Sequence, residues 1–350
     1  MRLSDLTTMR VGGEIADLVE AESAQQAAEA YERLVRTGAE FIVLGGGSNT
    51  VASDDPFAGT ALLMRTRGFE VLDETDDAVT VRAQAGETWD DLVAMSVERG
   101  WSGIEAMSGI PGSVGAAPIQ NIGAYGQEVA ETLVAVEFLS AETLEVQRLE
   151  AADLELEYRN SAIKSGSLTG LVLSVELRLR KADGQSAPIR YGQLATSLGA
   201  ETGDRRPLAD VRRSVLELRA SKGMVLSDDP DSVSAGSFFT NPIVSKAFTH
   251  SLPEDAPRFA AAPKTRADGG ETEAFKLSAA WLIERAGIEK GFSLGTGRAA
   301  ISSKHTLAIT NTGGATGEEV AELARYVQIR VLSEFGVQLV NEPVLVGLEI

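Results

Sequence analysis

Gly45-Gly46-Gly47-Ser48-Asn49 opens with three consecutive glycines. Glycine tolerates positive φ, and consecutive N–H groups in such a run can form a concavity that holds an anion. The run follows Phe41 to Leu44, which reads as a short buried strand. It is not a Rossmann fingerprint, because Thr50 or Val51 stands at the third glycine position and Val51 to Gly59 is not helical. No Gly-Lys-Ser/Thr follows, so it is not a Walker loop either. Three glycines alone leave a tight surface turn as the simpler reading. A second donor-rich region, Gly109 to Gly115 and Pro118 to Gly126, carries no charge. If buried, its N–H and C=O groups need partners. A pyrophosphate and a flavin ring would supply many of them, with a structural Ω-loop as the alternative. Two such loops within the first 126 residues favour one extended cofactor over two unrelated turns.

Composition narrows the chemistry. Among 350 residues there is no Cys and there are only 2 His, which excludes disulfides, thiolate metal sites and a cysteine nucleophile, and leaves no His-rich metal cluster. No metal is expected. With 32 basic and 51 acidic residues the net charge is −19, so nucleic acid and anionic membrane surfaces are disfavoured as partners. Met1 to Arg10 lacks the apolar core of a secretory signal. Ala106 to Gln127 is uncharged and long enough to span a bilayer, but five glycines and two prolines rule out a membrane helix. A soluble, cytoplasmic protein is expected.

The elements that must hold these loops alternate along the chain. Ser23 and Gln26 form a capping signature before Ala27, Ala30, Tyr31 and Leu34, with Gly38 as a stop. Val79, Val81, Ala83 and Ala85 alternate as a strand, and Thr88 with Asp91 starts a helix that Gly100 ends. Leu171 to Leu179 alternates through a long half-buried strand. Thr316 and Glu319 cap a helix carrying Val320, Leu323, Ala324 and Val327, closed by Gly336 before a last strand through Val344, Val346 and Leu348. Lys181 to Gln185 and Gly203 to Arg206 read as turns, and Pro253 to Thr272 as a long loop. The class is α+β with mixed sheets.

The chain strongly resembles the UDP-N-acetylenolpyruvoylglucosamine reductase family, type I branch. The matches are Thr7-Thr8-Met9-Arg10-Val11-Gly12-Gly13, the Gly45 to Asn49 loop, Ile110-Pro111-Gly112-Ser113-Val114-Gly115 and Gln120-Asn121-Ile122-Gly123-Ala124-Tyr125-Gly126. They continue through Tyr158-Arg159-Asn160-Ser161, Ala235-Gly236-Ser237-Phe238-Phe239-Thr240-Asn241-Pro242 and Trp281-Leu282-Ile283. The resemblance implies a two-lobed FAD-binding domain of the vanillyl-alcohol-oxidase type and an α+β substrate-binding domain. The lobes are expected at 1–65 and 66–220, the substrate-binding domain at 221–336, and 337–350 is a segment that could return to the FAD lobes.

It also implies roles for residues. Gly45, Gly46, Gly47, Ser48 and Asn49 would face the FAD pyrophosphate. Ile110, Pro111, Gly112, Ser113, Ile119, Gln120, Asn121, Gly123 and Ala124 would line the flavin and ribityl region, with Arg219 nearby. Tyr125, Tyr191, Lys222, Asn241 and His305 would contact the substrate, and Arg190, Arg298 and Lys304 are further candidate cations for its phosphates. The implied reaction uses NADPH and non-covalent FAD to reduce UDP-N-acetylglucosamine enolpyruvate for peptidoglycan synthesis. Arg159 suits a developing enolate because a guanidinium stays charged and grips through paired donors. Ser237 would reprotonate the product carbon, and Glu342 would work with Arg159 or supply the proton path. Glu342 stands in Asn341-Glu342-Pro343-Val344, whereas many relatives place Pro before it and Arg after. Taken singly, Arg159 could be a surface ion-pair residue, Ser237 a turn serine and Glu342 a solvated edge residue. An oxygen-using flavin oxidase and a non-enzymatic UDP-sugar-binding module are the rival classes.

Overall fold

A computed structural model of the chain describes residues 1–265 and 271–350. In order, the elements begin with β1 (Ile15–Ala21), α1 (Ala24–Thr37), β2 (Phe41–Leu44), β3 (Thr50–Ala52), β4 (Phe57–Met64), β5 (Phe69–Glu74), β6 (Ala78–Gln84) and α2 (Trp89–Glu98). Next come β7 (Trp101–Ser102), β8 (Gly123–Ala124), β9 (Gln127–Glu128), β10 (Leu133–Ser140), β11 (Val146–Glu150), β12 (Gly170–Lys181), α3 (Gly192–Ser197) and α4 (Leu208–Ala220). The remainder is β13 (Ile243–Ser245), α5 (Lys246–Thr249), β14 (Arg258–Thr265), β15 (Glu271–Leu277), α6 (Ala279–Arg285), β16 (Ala299–Ile301), β17 (Ile309–Asn311), α7 (Gly317–Phe335) and β18 (Val344–Val346). The chain divides into two compact units. One holds Met1, Glu14–Gly47 and Pro56–Val225, the other Arg2–Gly13, Ser48–Asp55 and Leu226–Ile350.

The first unit contains a parallel sheet ordered β1-β4-β2 and an antiparallel sheet ordered β11-β10-β12-β6-β5, with β7 beside β12. Helix α1 starts where the Ser23 hydroxyl accepts from the Gln26 N–H at 3.2 Å and stops at Gly38 in the left-handed conformation. Its buried face is Ala27, Ala30, Tyr31 and Leu34. The expected burial of Phe41 to Leu44 holds for Leu44 only, because β2 is the edge strand of its sheet. Strand β12 sends Val175, Leu177 and Leu179 into the core and turns Ser174, Glu176, Arg178 and Arg180 to the other face. There the almost fully buried Glu176 carboxylate lies between Arg82 at 2.8 Å and Arg148 at 2.6 Å. Burial works against its charge, yet the two guanidiniums hold its carboxyl below the ordinary range.

Thr88 does precede α2, but its side chain caps nothing; its backbone N–H donates to Glu87 Oε1 at 3.0 Å instead. Ala106 to Gln127 forms short 3-10 turns and a two-residue strand. Among the described residues no helix is long and apolar enough to cross a membrane.

The second unit builds its core from Phe238, Phe239, Leu282, Ile283, Leu323 and Val327. Helix α7 has the full reciprocal cap expected of Thr316 and Glu319 and ends at Gly336. Strand β18 pairs in parallel with β3. The loop expected over Pro253 to Thr272 is overturned where it is described: β14 and β15 form a three-stranded antiparallel sheet in the order β13-β15-β14. Residues 266–270 of that stretch lie outside the described residues. The strand signal was weak because β14 is alanine-rich and contains a proline, both depleted in strands. Its register shifts between Ala261 and Lys264, an interval that contains Pro263, where a missing N–H removes no ladder bond.

Candidate active site

The two donor-rich loops meet within the first unit. A Cβ on Gly45 would stand 2.1 Å from Ser113 Oγ, and one on Gly46 would stand 2.7 Å from Gly112 Cα. Of the three glycines, which all tolerate positive φ, only Gly47, at 61°, uses it. Gly45 and Gly46 are required by close approach instead. The facing loop is pinned from below. Trp89 N–H donates to Gly112 O, Val114 N–H to Glu87 O and Gly115 N–H to Ala85 O, at 2.8–3.1 Å. Asp90 accepts from Gly109 N–H at 2.6 Å and pairs with Arg212 through both oxygens. Burial works against that charge, but Arg212 and the Gly109 N–H keep the carboxyl below its usual range. Sequence reading passed over Asp90, whose signal was an extra acid beside a presumed cap.

Arg219 projects from α4 toward the same loop, its Nε 3.5 Å from where a Gly109 Cβ would lie. It is 9% exposed, donates Nη2 to Met224 O at 2.9 Å, and its Nε has no hydrogen-bond partner. Burial pushes its pKa below the ordinary arginine value. A buried guanidinium with an orphaned donor, next to glycines that leave no room for a side chain, fits an anionic, acceptor-rich group such as a dinucleotide pyrophosphate or a flavin edge. These residues fit the phosphates and ring edge of FAD.

Arg159 lies in the same unit. It is half-buried at φ 55° and donates to the carbonyls of Asn121 at 3.1 Å and Gly123 at 2.5 Å. Asn121 is fully buried, and its amide bonds Glu157 O, Glu128 Oε2 and the Ala130 N–H, so its side chain shapes the loop. Ser161 donates to Ile119 O and ties down the start of the Gln120 to Ala124 stretch. Tyr125 and Tyr191 pack edge to face with ring centres 5.5 Å apart, and Lys222 Nζ stands 5.5 Å over the Tyr125 ring. Lys222 also donates to Gln193 Oε1 at 2.8 Å, a partner that sequence reading missed. Burial, then the charge of Arg219, pulls the Lys222 pKa below the ordinary lysine value, and burial raises that of Tyr125. Of the other candidate cations, Arg190 pairs with Glu131, Arg298 with Glu319 and Lys304 with Asp229.

Ser237, Glu342, Asn241, His305, Ser48 and Asn49 lie in the second unit. Residues 238–240 run antiparallel to 340–342: Glu342 N–H donates to Phe238 O at 2.8 Å, and Thr240 N–H to Val340 O at 3.0 Å. Ser237 and Glu342 are thus on adjacent segments, and Asn49 Nδ2 reaches Glu342 O at 3.3 Å. Ser237 is half-buried after left-handed Gly236, and its hydroxyl makes no hydrogen bond among the described residues. Asn241 Oδ1 accepts from Ala279 N–H at the start of α6, and His305 is half-buried.

Comparison with known proteins identifies the family of the chain. Residues 16–150 match the FAD binding domain family model, and 229–346 match that of the UDP-N-acetylenolpyruvoylglucosamine reductase C-terminal domain. A UDP-N-acetylenolpyruvoylglucosamine reductase of Leifsonia xyli is 52% identical, over 99% of this chain and 98% of its own. The chain belongs to the UDP-N-acetylenolpyruvoylglucosamine reductase family. The corresponding reductase of Streptomyces coelicolor is 47% identical over 99% of this chain and 89% of its own length. The crystal structure of UDP-N-acetylenolpyruvylglucosamine reductase from Thermus caldophilus superposes with a TM-score of 0.63 at 26% identity, covering 99% of this chain and 97% of that one. As a member of the reductase family the chain is an FAD-dependent oxidoreductase of α+β class that acts on small molecules.

Proposed function

We propose that this chain reduces UDP-N-acetylglucosamine enolpyruvate to UDP-N-acetylmuramate with NADPH, in the cytoplasm, through the residue roles set out below. The observation that carries the reading is the orphaned, buried Arg219 beside two interlocked glycine loops, in a chain whose whole length matches the reductases. The chemistry supplied by bound FAD is hydride transfer, from NADPH to the enolpyruvyl double bond. Gly45 to Asn49 would hold its pyrophosphate, and Ile110 to Ser113, Ile119 to Ala124 and Arg219 the rest, without a covalent link.

Addition of hydride to the terminal alkene carbon leaves negative charge on the adjacent carbon and its carboxylate. Arg159, fixed by two loop carbonyls, is the donor we assign to that charge. Ser237 gives its proton to the same carbon, its hydroxyl uncommitted to any described neighbour, and Glu342 serves the proton path. Tyr191, Lys222 and Asn241 would receive the nucleotide part, with Tyr125 and His305 as further contacts. The residue spans 1–65 and 66–220 would act as FAD lobes and 221–336 as the substrate domain. The test is direct: purified protein should carry FAD, bleach on NADPH addition and recover its colour when the enolpyruvyl substrate is added. A colourless protein that does not take up FAD would refute the reading.

A further inference from the structure

The C-terminal half of β12 carries two arginines whose side chains no described residue pairs with directly. Along one face, Glu176 is matched by Arg82 and Arg148, whereas Arg178 and Arg180 follow it exposed. Neither of these two side chains has a hydrogen-bond or carboxylate partner among the described residues. That is unexpected in a chain with 51 acidic residues against 32 basic ones. Both arginines line a cavity of about 770 Å³ within the first unit. A smaller chamber of about 200 Å³ is also lined by Arg178 and Arg180 and adds Ser102. Ser102 is fully buried, its backbone pairs with Arg180, and its hydroxyl has no hydrogen-bond partner. A buried hydroxyl left in that state is unfavourable unless a ligand or water atom engages it.

We propose that this cavity is a second anion site, which binds the phosphate groups of a nucleotide-sized molecule. Arg178 and Arg180 grip the phosphate oxygens, and the Ser102 hydroxyl donates from the smaller chamber. Two guanidiniums two residues apart on a strand start about 7 Å from each other, a span suited to neighbouring phosphoryl groups and wide for one carboxylate. The volume lies in the range of small-molecule sites and exceeds what a lone phosphate fills. Asp77, Asp183 and Glu131 also line it, and their charge opposes a long polyanion such as nucleic acid. The remaining cations are engaged: Lys181 with Glu74 at 2.8 Å, Arg205 with Ser186 O at 2.6 Å. Arg190, a candidate cation for the substrate's phosphates, lines the smaller chamber alone and is paired with Glu131; no other lining residue belongs to the glycine loops or to Tyr125, Tyr191, Lys222, Asn241 and His305.

The test titrates the FAD-loaded protein with inorganic phosphate, pyrophosphate and ADP, read by calorimetry and by the fluorescence of Trp101, the residue before Ser102. Saturable binding of pyrophosphate or ADP is expected. The Arg178→Gln/Arg180→Gln double variant should bind at least tenfold more weakly with FAD content, Tm and reductase kcat unchanged. ADP tighter than phosphate assigns a nucleotide, and equal affinity assigns the free ion. Ser102→Ala should weaken binding a few-fold without lowering Tm. No binding at millimolar concentration, or equal affinity in the double variant, overturns the proposal.

Discussion

Arg159, Asn121 and Tyr125 all hold left-handed backbone, at φ 55°, 45° and 47°, although none is glycine. Such conformations cost on the order of 1–3 kcal/mol each and persist where the surroundings enforce them, commonly around functional groups. Here the Arg159 guanidinium bonds the carbonyls of Asn121 and Gly123, so the strained residues brace one another. Arg159→Lys loses the two-pronged grip. We expect kcat for substrate reduction to fall roughly 10²–10³-fold while FAD stays bound, as steady-state rates and the flavin spectrum would report. Ser237→Ala should leave NADPH-driven bleaching intact and slow the return of colour by roughly 10²–10⁴-fold in stopped-flow traces. Near-normal turnover would remove Ser237 from the acid role. Lys222 follows a pH argument. Burial and the charge of Arg219 favour its neutral form, so it sheds its proton at lower pH than a free lysine. The KM for the UDP substrate should therefore rise early on the alkaline side, and Lys222→Arg should flatten that rise.

At the scale of elements, what could be read from the sequence followed the strength of local signals. Caps such as Ser23 and Thr316 and the stop at Gly38 are short-range, and the structure repeats them, whereas along β12 burial is continuous from Leu171 to Leu177 and alternates only beyond it. The β13-β15-β14 sheet left little trace, because its alanines and Pro263 carry no strand preference and only pairing across the sheet reveals it. Likewise, nothing in the order of residues says that Gly46 must abut Gly112. That approach is set by two loops more than 60 positions apart. Two consequences can be measured. Gly46→Ala meets backbone 2.7 Å away, so it should lower both Tm and FAD per protein, whereas Gly45→Ala meets the Ser113 side chain, which can move. In α7 the Glu319 pKa is pulled down to about 2; burial opposes this, but the Thr296 hydroxyl and Arg298 outweigh it. A depressed carboxyl contributes stability above its unfolded value of 4.5 and loses it as pH falls toward 2. Glu319→Gln should therefore narrow the Tm difference between neutral and acid solution relative to wild type.

The whole molecule is a strongly acidic body that must admit anionic substrates. Its net field repels NADPH and UDP-sugars at long range. Moderate salt shortens the range of that repulsion. The second-order rate of NADPH with the oxidised protein should accordingly increase as ionic strength rises from about 0.01 to 0.1 M, the opposite of what a basic protein would show. A flat or falling dependence would mean that the cations near Arg219 dominate from a distance.

The pairing of β3 with β18 joins residues 50–52 to residues 344–346 within a unit assembled from three separate stretches. During synthesis the early stretches leave the ribosome long before the strand that must sit beside them exists. Pairings between such distant positions form slowly. Until then Val51, which is fully buried at the end, stays open to water and to other nascent chains. Completion of this unit thus waits for residues 344–346, and a chain stalled just short of Val344 would be a substrate for chaperones or proteases.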